Sequence, residues 1–68
     1  MQVIVNGEER ELPGRATVQS AVELTGVPSD ARGVAAALDG EVVPRSSWET
    51  TSLSEGARIE VLQAVQGG

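Results

Sequence analysis

A chain of 68 residues holds one small domain, and the absence of Cys, His, Lys and Tyr excludes disulfide staples, thiolate zinc sites and the usual side-chain nucleophiles and general bases. Ten carboxylate side chains against five Arg leave a formal charge of −5, which argues against nucleic acid, whose phosphates need clustered cations, and favours basic partner surfaces. The apolar stretches, such as Val34 to Leu38, fall far short of the roughly 20 residues that span a bilayer, and Met1 begins a polar and β-branched run with no basic leader. Neither a signal peptide nor a membrane anchor is expected, and a Cys-free chain suits the reducing cytoplasm.

Met1 to Asn6 alternates, with Met1, Val3 and Val5 on one face and Gln2, Ile4 and Asn6 on the other, as a half-buried strand requires. Asn6-Gly7 supplies the positive φ angles of a type I′ turn, and a second strand over Glu9 to Leu12 ends at Pro13-Gly14. Thr17 is placed to cap a helix running to about Thr25, with Val18, Ala21 and Val22 as its apolar stripe and Leu24 at the margin. Gly26 suits a left-handed C-cap and Pro28 bars continuation. So short a helix needs a sheet to pack on.

Val34 to Leu38 reads as a strand, Asp39-Gly40 as a second hairpin turn, and Glu41 to Val43 as the return strand, closed by Pro44. Arg45 to Gly56 is a Ser- and Thr-rich loop containing Trp48, the one aromatic residue. A last strand begins near Arg58, with Ile59 and Val61 on one face and Arg58, Glu60 and Leu62 on the other. Hairpin, helix, hairpin, long connection and final strand give a sheet of four to five strands with one helix across one face, an α+β roll. Val18 and Val22 are expected to pack on Val3, Val5, Ile59 and Val61.

The segments Val3-Ile4-Val5-Asn6-Gly7-Glu8, Thr17-Val18 and Asp39-Gly40-Glu41-Val42-Val43-Pro44-Arg45 followed by Trp48 carry a resemblance over nearly the whole length. They are joined by Leu53, Glu55-Gly56, Arg58-Ile59-Glu60-Val61 and the ending Ala64-Val65-Gln66-Gly67-Gly68. Together they resemble the ubiquitin-like sulfur carriers of the ThiS type, which serve the thiazole ring of thiamine. The resemblance implies a β-grasp domain over residues 1–64, its mixed sheet placing the final strand parallel to the first at the centre, and a tail over 65–68. It implies that the Gly68 carboxylate is adenylated with ATP by a ThiF/MoeB-like activating enzyme. Sulfur derived from cysteine, through a cysteine desulfurase or another donor, then converts it to a thiocarboxylate for a ThiG-like thiazole synthase. No cofactor is held permanently. Ala21 makes the helix face slimmer than the Leu-rich face usual in this family.

Elementary chemistry supports the same end of the chain. A C-terminal carboxylate has a reference pKa of about 3.3–3.7, so at neutral pH it is an ionised nucleophile ready for an α-phosphate. Gly67 and Gly68 lack Cβ and can thread a narrow channel that side chains would block. The tail Val65, Gln66, Gly67 and Gly68 is expected to be disordered or extended beyond about Val65. A self-sufficient enzyme is not expected, because a cleft working with carboxylates alone is hard to build at this size.

Parity sends Ile4, Leu62 and Ala64 to the sheet face away from the helix, beside Ala35 or Ala37, and an apolar patch there reads as a partner-docking surface. Trp48 reads as a hydrophobic plug whose indole N–H needs a partner, Arg45 as a solvated surface side chain, and Glu8, Glu9 and Glu11 as a solvated strand edge. Alternatives in the same class are the small subunit of molybdopterin synthase and carriers for other sulfur-containing products. Beyond that class stand a protein modifier joined to lysines through Gly68 and a plain interaction module. The lack of Lys excludes chains built on this protein's own lysine side chains.

Overall fold

The computed structural model describes residues 1–28 and 32–64. Two hairpins, one helix and a last strand follow in order: β1 (Gln2–Val5), β2 (Glu8–Glu11), α1 (Val18–Leu24), β3 (Val34–Leu38), β4 (Glu41–Val43) and β5 (Arg58–Gln63). The five strands form one sheet in the order β2-β1-β5-β3-β4. β5 runs parallel to β1 and antiparallel to β3, so the strand read last is the centre of the sheet. This is the β-grasp arrangement.

Each hairpin turn has two consecutive residues at positive φ, Asn6 at 51° with Gly7 at 82°, and Asp39 at 49° with Gly40 at 89°. That twist matches the flanking strands, and Asn and Asp are the non-glycine residues that tolerate it best. Because the turn uses just two residues, Val5 pairs directly with Glu8. The second strand therefore starts one residue earlier than the sequence pattern predicts and stops at Glu11, where the predicted strand ran to Leu12. Leu12 remains tied to the edge through its N–H, which donates to the Met1 carbonyl at 2.9 Å. The Met1 ammonium lies 2.7 Å from the Glu11 carboxylate and donates to the Leu12 carbonyl at 2.9 Å.

Strand alternation builds the core as expected. Val3, Val5, Ile59, Val61 and Ala36 are buried on the helix side, where they join Val18, Ala21 and Val22 in one cluster. Leu24 packs at the edge of that cluster, half-buried. Past the helix, Gly26 takes a left-handed φ of 82°.

Thr17 is the N-cap of α1, as the sequence predicts, and the first turn is satisfied both locally and from far along the chain. Ser20 Oγ accepts from the Thr17 N–H at 3.1 Å. Two of the N–H groups that a helix start leaves free, those of Val18 and Gln19, donate at 3.0 Å to the carbonyls of Thr51 and Trp48. The loop before β5 is thus structured: it opens with a single 3₁₀ turn, Arg45–Ser47, and runs under the helix start. Leu53 N–H then donates to the Ala16 carbonyl at 3.0 Å. Trp48 is the plug the sequence predicts, 1% exposed, with its Nε1–H donating to the Val43 carbonyl at 2.8 Å. Arg45, read as a solvated surface side chain, is exposed and holds its guanidinium over the Trp48 ring, 5.0 Å from the centroid, a cation–π contact.

Candidate functional site

The residues expected to carry the chemistry, Val65, Gln66, Gly67 and Gly68, lie outside the described residues, whereas the stretch of β5 that leads to them is described in full. β1 has four residues and β5 has six, and their parallel register runs through Ile4↔Arg58 and Val5↔Ile59. Beyond Ile59 the chain of β5 therefore continues past the end of its neighbour.

Side chains and turns take over where the strand stops. The Asn6 carboxamide oxygen accepts the Val61 N–H at 2.8 Å, and Asn6 N–H donates to the Ile59 carbonyl at 2.9 Å. At the other end of β5, Asp39 Oδ1 accepts the Arg58 N–H at 3.0 Å while Asp39 N–H donates to the Arg58 carbonyl at 2.8 Å. Each hairpin turn thus lends the central strand an acceptor. On the β3 side the last strand pair is Val34↔Gln63, and one step further the Ala64 N–H donates to the Gly33 carbonyl at 2.8 Å. Gly33 has φ of 73°, and a Cβ placed there would stand 3.3 Å from the Ala64 Cβ.

Ile4, Leu62 and Ala64 occupy the face away from the helix. Leu62 is 67% exposed, Ala64 is exposed and Ile4 is half-buried. Ile4 and Leu62 line one groove. They are not adjacent within it: Ile4 is level with Arg58, and Leu62 lies four residues further along β5, about 13 Å in an extended strand, with Glu60 between. The apolar neighbours of Leu62 are on the other side, where Ala35 pairs across from it and Ala37 pairs with the exposed Val42. The face therefore presents Leu62, Ala35, Ala37 and Val42 around the acidic Glu60, with Ile4 across the groove.

The acidic run on β2 is exposed as predicted for Glu8, Glu9 and Glu11. Among the described residues no three acidic side chains gather into a group able to hold a metal ion, and no helix is long and apolar enough to cross a membrane.

The sequence pattern of the ThiS family matches residues 3–68. The chain belongs to the ThiS family. A crystal structure of the thiamine biosynthesis protein ThiS from Geobacter metallireducens superposes with a TM-score of 0.77 at 27% identity, with 100% of both chains covered. The solution structure of a thiamine biosynthesis protein from the same organism gives 0.75 at 28% identity, covering 100% of this chain and 88% of the other. A thiazole synthase of Paramagnetospirillum magneticum is 34% identical over 68 residues, which are 100% of this chain and 20% of that protein. The chain spans about a fifth of the length of this curated relative. Membership in the ThiS family bears out the resemblance to the ubiquitin-like sulfur carriers, and the five-stranded mixed sheet with one helix bears out the fold it implies.

Sequence reading found the outward placement of Leu62 and Ala64 but missed the second duties of Asn6, Asp39 and Gly33. Asn6 and Asp39 were read as turn residues alone. The overhang follows from the register Ile4↔Arg58 and Val5↔Ile59, which the predicted strand spans, Met1 to Asn6 and onward from Arg58, do not show.

Proposed function

We propose that this ThiS-family protein is a sulfur carrier for thiamine thiazole formation, loaded at the carboxylate of Gly68. The observation that carries this reading is the family match, which runs through to residue 68 and so takes in the Gly-Gly end. In this reading the chain is a co-substrate and not a catalyst, with residues 1–64 as the docking body and 65–68 as the tail that enters another protein's active site. A carboxylate oxygen of Gly68 attacks the α-phosphate of ATP held by a ThiF/MoeB-like activating enzyme, and pyrophosphate leaves. The resulting mixed anhydride is a far better acyl electrophile than a carboxylate. The outer sulfur of a persulfide formed by a cysteine desulfurase or another donor displaces AMP to give an acyl disulfide. A second thiol then attacks that S–S bond, freeing the thiocarboxylate and leaving a disulfide on the donor side. The face bearing Leu62 and Ala64, with Ile4 across the groove, is the surface on which these partners dock.

Thiazole synthase is the proposed recipient. The thiazole synthase of Paramagnetospirillum magneticum contains a segment like this chain within its own length, which supports a working relationship between the two. The cytoplasm is the proposed location, where ATP and cysteine-derived sulfur are both at hand.

The test is intact-mass spectrometry after incubation with ATP, a cognate activating enzyme and a sulfur source. The expected result is a mass increase equal to the difference between one sulfur and one oxygen, localised to the C-terminal peptide and abolished by deleting Gly68. That deletion shortens an extended tail by about 3.3–3.6 Å, when even ~1 Å of misplacement can cost about a hundredfold in rate. Thiazole production from this thiocarboxylate by thiazole synthase supports the full reading, whereas transfer to a molybdopterin precursor alone replaces the recipient. Stable isopeptide attachment to other proteins without thiocarboxylate, or no adenylate at all, overturns the carrier role.

A further inference from the structure

We infer that Asn6 and Gly33 are positioning residues that fix the point from which the tail departs, and that they do so for the reaction at Gly68. The inference rests on the sulfur-carrier reading and adds to it two residues that act through the backbone of β5 and not on a reacting atom.

β5 has to carry its backbone past the end of β1, and a strand that loses one neighbour is free to twist or slip unless its polar groups are held. Val61 would meet a β1 carbonyl if β1 continued, and there the chain has already turned at Asn6-Gly7. The Asn6 side-chain oxygen supplies that acceptor at 2.8 Å, so the ladder on this flank is extended by one rung without a strand. On the opposite flank the last rung among the described residues is also made outside a strand, by the Gly33 carbonyl to the Ala64 N–H at 2.8 Å. Gly33 adds a second condition. Its positive φ and the 3.3 Å that would separate a Cβ there from the Ala64 Cβ mean that a side chain at 33 would strain the backbone and crowd Ala64. Val61 and Ala64 are consequently held one from each side just before the tail begins.

Gly68 lies four positions beyond Ala64, a reach of at most about 14 Å. Once the body is docked, a tail drawn out along a channel has little slack, so a displacement of its root passes to the carboxylate. Loosening the root therefore acts on the geometry of adenylation and leaves docking of the sheet face in place.

Asn6 allows a clean separation of its two duties. Asn6→Gly keeps the positive φ of the turn and removes the acceptor, while Asn6→Asp keeps both an acceptor and a residue suited to the turn. ATP–pyrophosphate exchange with a cognate activating enzyme, run for wild type and both variants, gives kcat and KM, and amide hydrogen exchange reports the Val61 N–H directly. Asn6→Gly is expected to speed Val61 exchange and to lower kcat by about tenfold or more, with KM within about twofold, and Asn6→Asp is expected to restore both. Gly33→Ala, which leaves Asn6 untouched, is expected to lower kcat in the same way and decides the matter if Asn6→Gly does not fold. An unchanged kcat in variants that fold, a rise in KM alone, or an Asp variant no better than Gly overturns the inference. A wild-type protein that supports no exchange instead removes the sulfur-carrier reading, and this inference with it.

Discussion

Replacing Trp48 with Ala removes the largest fully buried side chain among the described residues, together with its hydrogen bond to the Val43 carbonyl. Truncations of this kind cost about 3–5 kcal/mol, a large share of the ~5–15 kcal/mol that holds a small domain together. Urea titration should find the Trp48→Ala midpoint sharply lowered, by about 3–5 kcal/mol of stability, whereas Trp48→Phe, which keeps most of the volume and loses the N–H donor, should cost about 1–3 kcal/mol. A second residue gives a pH signature. The Glu11 carboxylate beside the Met1 ammonium raises that group's pKa, chiefly through their hydrogen bond. A raised folded-state pKa means that the native protein holds the proton more tightly than the unfolded chain. The stabilisation is fully present below the ordinary α-amino value of about 8 and is lost as pH rises through the higher folded value. With no His, Cys, Lys or Tyr in the chain, no side chain titrates in that window. Thermal midpoints followed upward from pH 7 should fall for wild type, and Glu11→Gln should flatten the curve.

At the scale of elements, β5 has one face in the core and one in solvent, so substitutions on it should divide sharply. Leu62→Glu places a charge on an exposed position and should change stability by no more than about 0.5 kcal/mol. If the outer face docks the activating enzyme, the same variant should raise KM for activation about tenfold or more, because a desolvated charge in an apolar contact is costly. Denaturant titration and pyrophosphate-exchange kinetics on one preparation check both halves. The elements themselves were readable to the extent that their signals are local. Asn6-Gly7 and Asp39-Gly40 announce turns through backbone preferences of the two residues concerned, and Val34 to Leu38 and Glu41 to Val43 follow between such markers. The start of α1 was readable at Thr17, its N-cap, but the carbonyls that accept from Val18 and Gln19 were not, since they belong to Thr51 and Trp48, about thirty residues away and in no pattern that Ser- and Thr-rich sequence reveals. The partner of Asn6 is more distant still, at Val61.

For the whole molecule the dominant property is its charge. A carrier at −5 with an exposed acidic edge at Glu8, Glu9 and Glu11 should meet a basic partner faster than uncharged surfaces would. Raising the salt from about 0.05 to 0.5 M shortens the screening length severalfold, so the second-order rate of activation should drop by about tenfold while the rate of the bound step stays constant. Stopped-flow measurements at several ionic strengths check this. Net charge and the Gly-Gly ending were legible at once because both are sums or sequences of residues. The shape of the sheet's outer face was not, since Glu60 interrupts it and Val42 joins it only once strands distant in the chain are paired. The placement of β5 has a further consequence during synthesis. A chain broken off before Arg58 has two hairpins and a helix but no central strand to join them, so neither sheet edge can close over the core. Prematurely ended products should therefore be unfolded and open to proteases.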